Sequence, residues 1–249
     1  LAIFRNDGHG GLTVWTNAPL PGTNPRDQTS VLVWHSADKT TRLLAGESNW
    51  EDADTNAPPF RGFALDGGGP TPRVPTLENQ RSATGPLALA DVDGDGDLDL
   101  FVGGRVPAGR YPEPATSELL RIDGDTFSVM QSFPRLGLVS GAVFVDLDGD
   151  GDPDLALACE WDSIRIFRND KGTLVEVTAA LGLQQFKGRW NGIAAGDFDG
   201  DGRMDLVASN WGRNWRTEQS PGVDTSVQLF YGDFNGDGSV QMLLASADP

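Results

Sequence analysis

A short acidic loop, written four times, constrains this chain more than any other feature. The first copy is Asp91-Val92-Asp93-Gly94-Asp95-Gly96-Asp97-Leu98-Asp99. Carboxylates stand at positions 1, 3, 5 and 9, and the Asp97 carbonyl at position 7 is set to point inward. At about 4 Å two like charges repel by about 1 kcal/mol in bulk water, and by more where water is partly excluded. A hard dication removes that penalty. Ca²⁺ takes about six to eight oxygens in a tolerant geometry, and glycine at position 6 permits the sharp turn that wraps ligands around it.

The second copy is Asp146, Asp148, Asp150, Asp152 and Asp154, with Gly151 at position 6. The third is Asp197, Asp199, Asp201, Arg203 and Asp205, with Gly202. Asp233, Asn235, Asp237 and Ser239 make a weaker fourth, because Gln241 stands at its ninth position. These residues are the candidate metal ligands, with Arg203 and Ser239 contributing position 7. The expectation is calcium at three sites and a poorer fourth. An EF-hand is excluded, since position 12 is Val102, Leu157, Ala208 and Leu244 where that motif needs a bidentate Glu. The flanks, such as Leu87-Ala88-Leu89-Ala90 and Leu100-Phe101-Val102, are short apolar runs of strand character. Each loop is therefore expected to join two antiparallel strands.

The loops begin at residues 91, 146, 197 and 233, intervals of 55, 51 and 36 residues. A second element recurs between them: Ile166-Phe167-Arg168-Asn169-Asp170-Lys171-Gly172 matches Ile3-Phe4-Arg5-Asn6-Asp7-Gly8, with a looser copy at Leu120-Arg121-Ile122-Asp123-Gly124. It reads as strand, tight turn, strand. One unit is then four antiparallel strands in about fifty residues, which is the size of a propeller blade. The expected fold is all-β, a single β-propeller domain over residues 1–249, with about five blades' worth of repeats and room for a larger ring. Calcium-loop blades lie within 85–246, with whole units at about 85–133 and 141–178 and a third starting near Asn191. A degenerate blade lies within 30–80. There the loop from His35 to Arg42 has lost its carboxylates, and no calcium is expected. Residues 1–16 read as the second half of a blade and 227–246 as two strands that could meet them.

This pattern resembles the FG-GAP/VCBS repeat of integrin α-chain propellers and many bacterial surface proteins. Ala90 to Gly104 is the closest match, and the Phe-Arg-Asn-Asp turns resemble the companion element of the bacterial members. The resemblance covers residues 85–246 well and 1–80 poorly. It implies a propeller with Ca²⁺ at the rim of one face, and no particular ligand.

Composition narrows the function. With 36 acidic and 19 basic residues the net charge is −17, which three dications would bring to −11. A nucleic-acid partner is excluded, because there is no basic stripe to meet phosphates. No apolar run is long enough for membrane insertion. The single cysteine, Cys159, lies in an apolar strand and reads as a buried small hydrophobe. Flexible all-Asp sites suit millimolar calcium, so the expected setting is extracellular, at a bacterial cell surface or in the periplasm. The start at Leu1-Ala2-Ile3-Phe4 falls mid-pattern and reads as a mature piece or fragment.

No catalytic constellation assembles, since His9 and His35 are the only histidines. Binding is the stronger expectation. Trp50, Trp161 and Trp211 recur just after the second strand of a unit, with Arg105 in the equivalent place of the remaining one and Arg213 and Trp215 nearby. These places lie about 20 Å from the calcium loops at roughly 3.3 Å per residue. They are candidate contacts for a protein or glycan ligand on the face opposite the metals. The alternatives are a self-assembling surface or filament subunit and a polysaccharide-active, lyase-like enzyme.

Overall fold

Apolar runs between the acidic loops build the sheets. The computed structural model describes residues 2–16, 26–36, 39–65, 82–124, 126–211 and 227–246. Its strands are β1 (Phe4–Asn6), β2 (Leu12–Val14), β3 (Gln28–His35), β4 (Thr41–Glu47), β5 (Phe60–Ala64), β6 (Ser82–Ala90), β7 (Asp99–Pro107) and β8 (Ala115–Asp123). There follow β9 (Thr126–Val145), β10 (Asp154–Asp162), β11 (Arg165–Asp170), β12 (Thr173–Glu176), β13 (Gly188–Gly196), β14 (Asp205–Asn210), β15 (Val227–Gly232) and β16 (Gln241–Ser246). All the pairings are antiparallel. Each acidic loop joins two paired strands, as expected: β6–β7, β9–β10, β13–β14 and β15–β16.

The first two complete units appear, with one difference at their boundary. β6, β7, β8 and the first half of β9 form one four-stranded meander. The second half of β9 with β10, β11 and β12 forms the next. No turn separates them, because β9 runs unbroken for 20 residues. It leaves one sheet at Gly137 and enters the other at Leu138. β10 also pairs with the start of β13, where Glu160 faces Arg189. The third unit is described only as the hairpin β13–β14. The degenerate segment forms the three-stranded sheet β3–β4–β5. Among the described residues, the hairpins β1–β2 and β15–β16 stand as separate two-stranded sheets, with no ladder between them.

The sheets stack face to face, and this explains why their strands read as unbroken apolar runs rather than alternating ones. Along β7, Leu100 and Val102 point to one side, into a core with Trp34, Leu44, Phe60 and Phe127. Phe101 points to the other side, against Phe133, Leu155, Leu157 and Phe167. Phe101, Phe133 and Phe167 form an edge-to-face chain with centroids 6.1 and 5.3 Å apart, a geometry aromatic quadrupoles favour. Cys159 is fully buried in this second core, and burial pushes its thiol up to about 12. That makes it inert.

The first strands of successive units also approach one another closely. Thr29 Oγ1 donates to Gly85 O at 3.5 Å, and Ser140 Oγ donates to Trp190 O at 2.5 Å. A Cβ on Gly85 would lie 2.5 Å from Val139 O, and one on Gly141 3.0 Å from Gly192 Cα. Only glycine allows backbones that near. β3, β6, β9 and β13 therefore neighbour one another in chain order.

Candidate functional site

All four acidic loops share one internal hydrogen-bond scheme. The position 2 N–H donates to the position 9 side chain: Val92 to Asp99, Leu147 to Asp154 and Phe198 to Asp205, each at 3.0 Å, and Phe234 to Gln241 at 2.7 Å. The position 6 glycine N–H donates to the position 1 carboxylate at 2.9–3.0 Å in every copy. The position 7 N–H donates to position 5 at 2.8–3.0 Å. Glycines at positions 4 and 6 all have positive φ, from 75° to 97°, which only glycine adopts without strain. The Asp-Gly alternation thus encodes the backbone path as well as the charge.

This path gathers three carboxylates per loop. In Asp91/Asp93/Asp99, in Asp146/Asp148/Asp154 and in Asp197/Asp199/Asp205 the ligand atoms lie within 4.8 Å of one another. Asp99 and Asp154 are 2% exposed. Burial, aided by the Asp93 and Asp95 charges, pushes Asp99 up to about 6. Asp154 is raised for the same reason, with Asp148 and Asp150 contributing. One oxygen, Asp91 Oδ1, is buried with no hydrogen-bond donor. Crowded, desolvated carboxylates with an orphaned oxygen fit an oxygen-liganded dication. The residues at positions 1, 3 and 9 would hold it, and calcium would supply the positive charge the loop lacks.

Positions 5 and 7 lie outside these groups. Asp95, Asp150 and Asp201 accept the position 7 N–H groups of Asp97, Asp152 and Arg203. The Arg203 guanidinium folds back onto Asp201. Two further arginines reach the loops from the third strand of their sheets. Arg121, opposite Asp99 in register, contacts Asp93 and lies 3.2 Å from Asp95. Arg168 lies 2.9 Å from Asp148.

The fourth loop has the scheme with only two carboxylates, Asp233 and Asp237. Gln241 Oε1 takes the place of the position 9 carboxylate oxygen, but its Nε2 donates to Asn235 Oδ1 at 3.1 Å and Ser239 Oγ at 2.5 Å. An amide donor thus ties together the groups a cation would otherwise hold. This accounts physically for the weaker fourth copy.

Asn169 links two of the loops. It is 1% exposed. Its Nδ2 donates to Val92 O in the first loop at 2.8 Å and to Pro153 O in the second at 3.3 Å. Its N–H donates to Asp154 Oδ1, and its Oδ1 accepts from Gly172 N–H, both at 2.8 Å. A Cβ on Gly172, which sits at φ 90°, would lie 2.9 Å from Asp93 Cβ. The β11–β12 turn is therefore packed directly against the first acidic loop.

At the opposite strand ends a second cluster forms. Glu160, at the end of β10, is 6% exposed. It accepts from Arg105 Nη2 at 2.5 Å, Arg189 Nη2 at 2.6 Å and Tyr111 Oη at 2.9 Å. Burial alone would raise its carboxyl, but hydrogen bonds from Arg105 and Arg189 outweigh that and hold it below its usual range. Trp161 Nε1 donates to Tyr111 Oη at 2.6 Å. The Arg189 guanidinium lies 4.8 Å from the Trp161 ring centre and 4.3 Å from that of Trp211, within cation–π range. Trp161 sits at φ 65°, a left-handed backbone unusual for an aromatic residue. A cavity of about 980 Å³ opens beside it, bounded by Trp161, Trp211, Arg165, Lys187 and β15.

Of the residues singled out for this face, Arg105, Trp161 and Trp211 come together. Trp50 is exposed on the turn after β4, beyond the three-stranded sheet. Arg213 and Trp215 lie outside the described residues. Glu160, Tyr111, Arg189 and Asn169 were not visible as site residues. Glu160 immediately precedes a flagged tryptophan. Tyr111 lies in the proline-rich insert between β7 and β8, and nothing local announces it.

Comparison with known proteins agrees with the loop geometry. Residues 91–157 and 146–208 match the FG-GAP-like repeat. No curated protein matches the sequence. Among solved structures the chain is similar to the crystal structure of the exotype rhamnogalacturonan lyase YesX, at 16% identity and a TM-score of 0.45. That likeness covers 78% of this chain and 42% of the other, so the chain spans less than half the length of that structure. Two overlapping FG-GAP-like repeats thus lie within residues 91–208, over the hairpins that carry the three aspartate groups.

Proposed function

We propose that this chain is a calcium-stabilised β-propeller that works outside the cell as a binding module. The three aspartate groups lie on one rim and the ligand surface on the other, where the fourth loop meets Arg110 of the β7–β8 insert at 3.4 Å. The observation that carries the calcium assignment is the shared loop scheme, which brings three carboxylates together in each of three copies. The close approach of β3, β6, β9 and β13 in chain order supports an arrangement of blades around an axis. The Glu160-centred cluster of arginine and tryptophan beside a cavity supports binding, because arginine, tryptophan and tyrosine are the residues that most often anchor interfaces.

Calcium acts structurally in this reading. Its binding energy is folding energy, because the unfolded chain has no preformed site. Three sites, each at about tenfold excess of calcium over Kd, would add about 4 kcal/mol. For a chain of this size that is a rise of about 10 °C in melting temperature. Thermal unfolding in millimolar calcium and in chelator tests this, and an unchanged transition would count against it.

A further inference from the structure

We propose that the cavity beside Trp161 and Trp211 takes an acidic peptide segment of a partner protein, bound in extended form. This rests on the binding-module reading above and names the partner's chemistry. The first ground is charge. In a chain of net charge −17, the cavity wall carries Arg135, Arg165, Lys187 and Arg189 against only Glu160 and Asp162. Both acids are already engaged. Glu160 accepts from Arg105, Arg189 and Tyr111, and Asp162 accepts from Arg165 Nη2 at 2.7 Å and Ser163 N–H at 2.9 Å. Two guanidiniums thus meet one carboxylate at Glu160; Arg165 also faces Glu176 at 3.4 Å, while Arg135 and Lys187 stand exposed on the wall. The wall has donors and positive charge in surplus, which favours an anion.

The second ground separates an anionic ligand from a neutral sugar. Sugar hydroxyls need acceptors as well as donors, and the acidic acceptors here are already engaged. The indole N–H groups are spent too: Trp161 donates to Tyr111 Oη, and Trp211 donates to Asn191 Oδ1 at 2.5 Å. Carboxylates need only donors. The third ground is β15. Five consecutive residues of it, Val227–Tyr231, line the cavity. Among the described residues it forms a ladder only with β16. Among those residues its other edge pairs with no strand, and an extended peptide can add there as a further strand, with acidic side chains falling toward Lys187 and Arg135.

Tryptophan fluorescence titrations in calcium test this with four probes: an alternating Glu-Val peptide, its Lys-Val counterpart, a mannuronate oligomer and a neutral glucan. The Glu-Val peptide should change the emission and the Lys-Val peptide should not. The Arg135→Glu/Lys187→Glu variant, with both side chains exposed, should weaken Glu-Val binding by about tenfold or more. Its melting temperature in calcium checks that it folds. Lys187→Gln alone should weaken binding by about threefold, and by less as salt rises. Equal binding of both peptides, or full Glu-Val affinity in the folded variants, would overturn the proposal. Preference for the mannuronate oligomer, lost in the same variants, would replace the peptide by an acidic glycan and leave the binding-module reading standing. Failure of all four probes would remove both.

Discussion

Gln241 shows how a single side chain decides what one of these loops can do. It keeps the acceptor that Asp99, Asp154 and Asp205 present to the position 2 N–H. It also brings a donor into a loop where a cation would need oxygens. Gln241→Asp should therefore convert the fourth loop, raising the calcium stoichiometry by one in isothermal titration. Asp154→Asn makes the opposite change, putting an amide among the second loop's carboxylates. It should weaken calcium there by about tenfold or more, or about 1.4 kcal/mol. Glu160 belongs to the same scale. Its folded carboxyl titrates below its ordinary value of 4.5, so its stabilisation is present above that value and lost as pH falls through the lower folded one. Glu160→Gln should flatten this part of the acid unfolding limb and leave the stability slope between pH 6 and 8 unchanged, as melts across that range would show. The position 1, 3 and 9 aspartates were legible in the sequence, because charge and spacing are local properties. Glu160 and Arg189 were not, because their meeting depends on β10 pairing with β13 across 29 residues.

At the scale of elements, the repeat is a hairpin whose stability depends on its neighbour. The β11–β12 turn lies on the Val92–Asp93 backbone, and Asn169 holds the first and second loops together. Asn169→Ala would strip these buried groups of their hydrogen bonds, at a cost of about 2–3 kcal/mol. Calcium should then bind more weakly at the first and second loops and unchanged at the third, a pattern that titration of single-loop variants would resolve. Most strands were legible, since Leu100-Phe101-Val102 and Leu155-Ala156-Leu157 have strand length and turn-forming flanks. The role of Asn169 was legible only as a turn residue in a repeated Phe-Arg-Asn motif. Its link to a loop 77 residues away is a property of packing. The unbroken course of β9 was also hidden, since Pro134 and Gly137 read naturally as the end of one strand.

For the whole molecule, the stacked sheets explain why the loops matter beyond their own turns. Phe101, Phe133 and Phe167 join two sheets through one core, and Phe60 and Phe127 join a third. The first two acidic loops cap the same strands at one end, so repulsion within a loop acts on strands that these cores share. All-β architecture and the two complete repeats follow from local patterns of charge, glycine and apolar runs. How the terminal hairpins are completed does not, because it depends on contacts far apart in the chain. Calcium titration into the chelator-stripped chain, with the bound ions counted, tests the central claim most directly. The account predicts three ions per chain, held by the groups around Asp99, Asp154 and Asp205. A folded chain that binds none would contradict it.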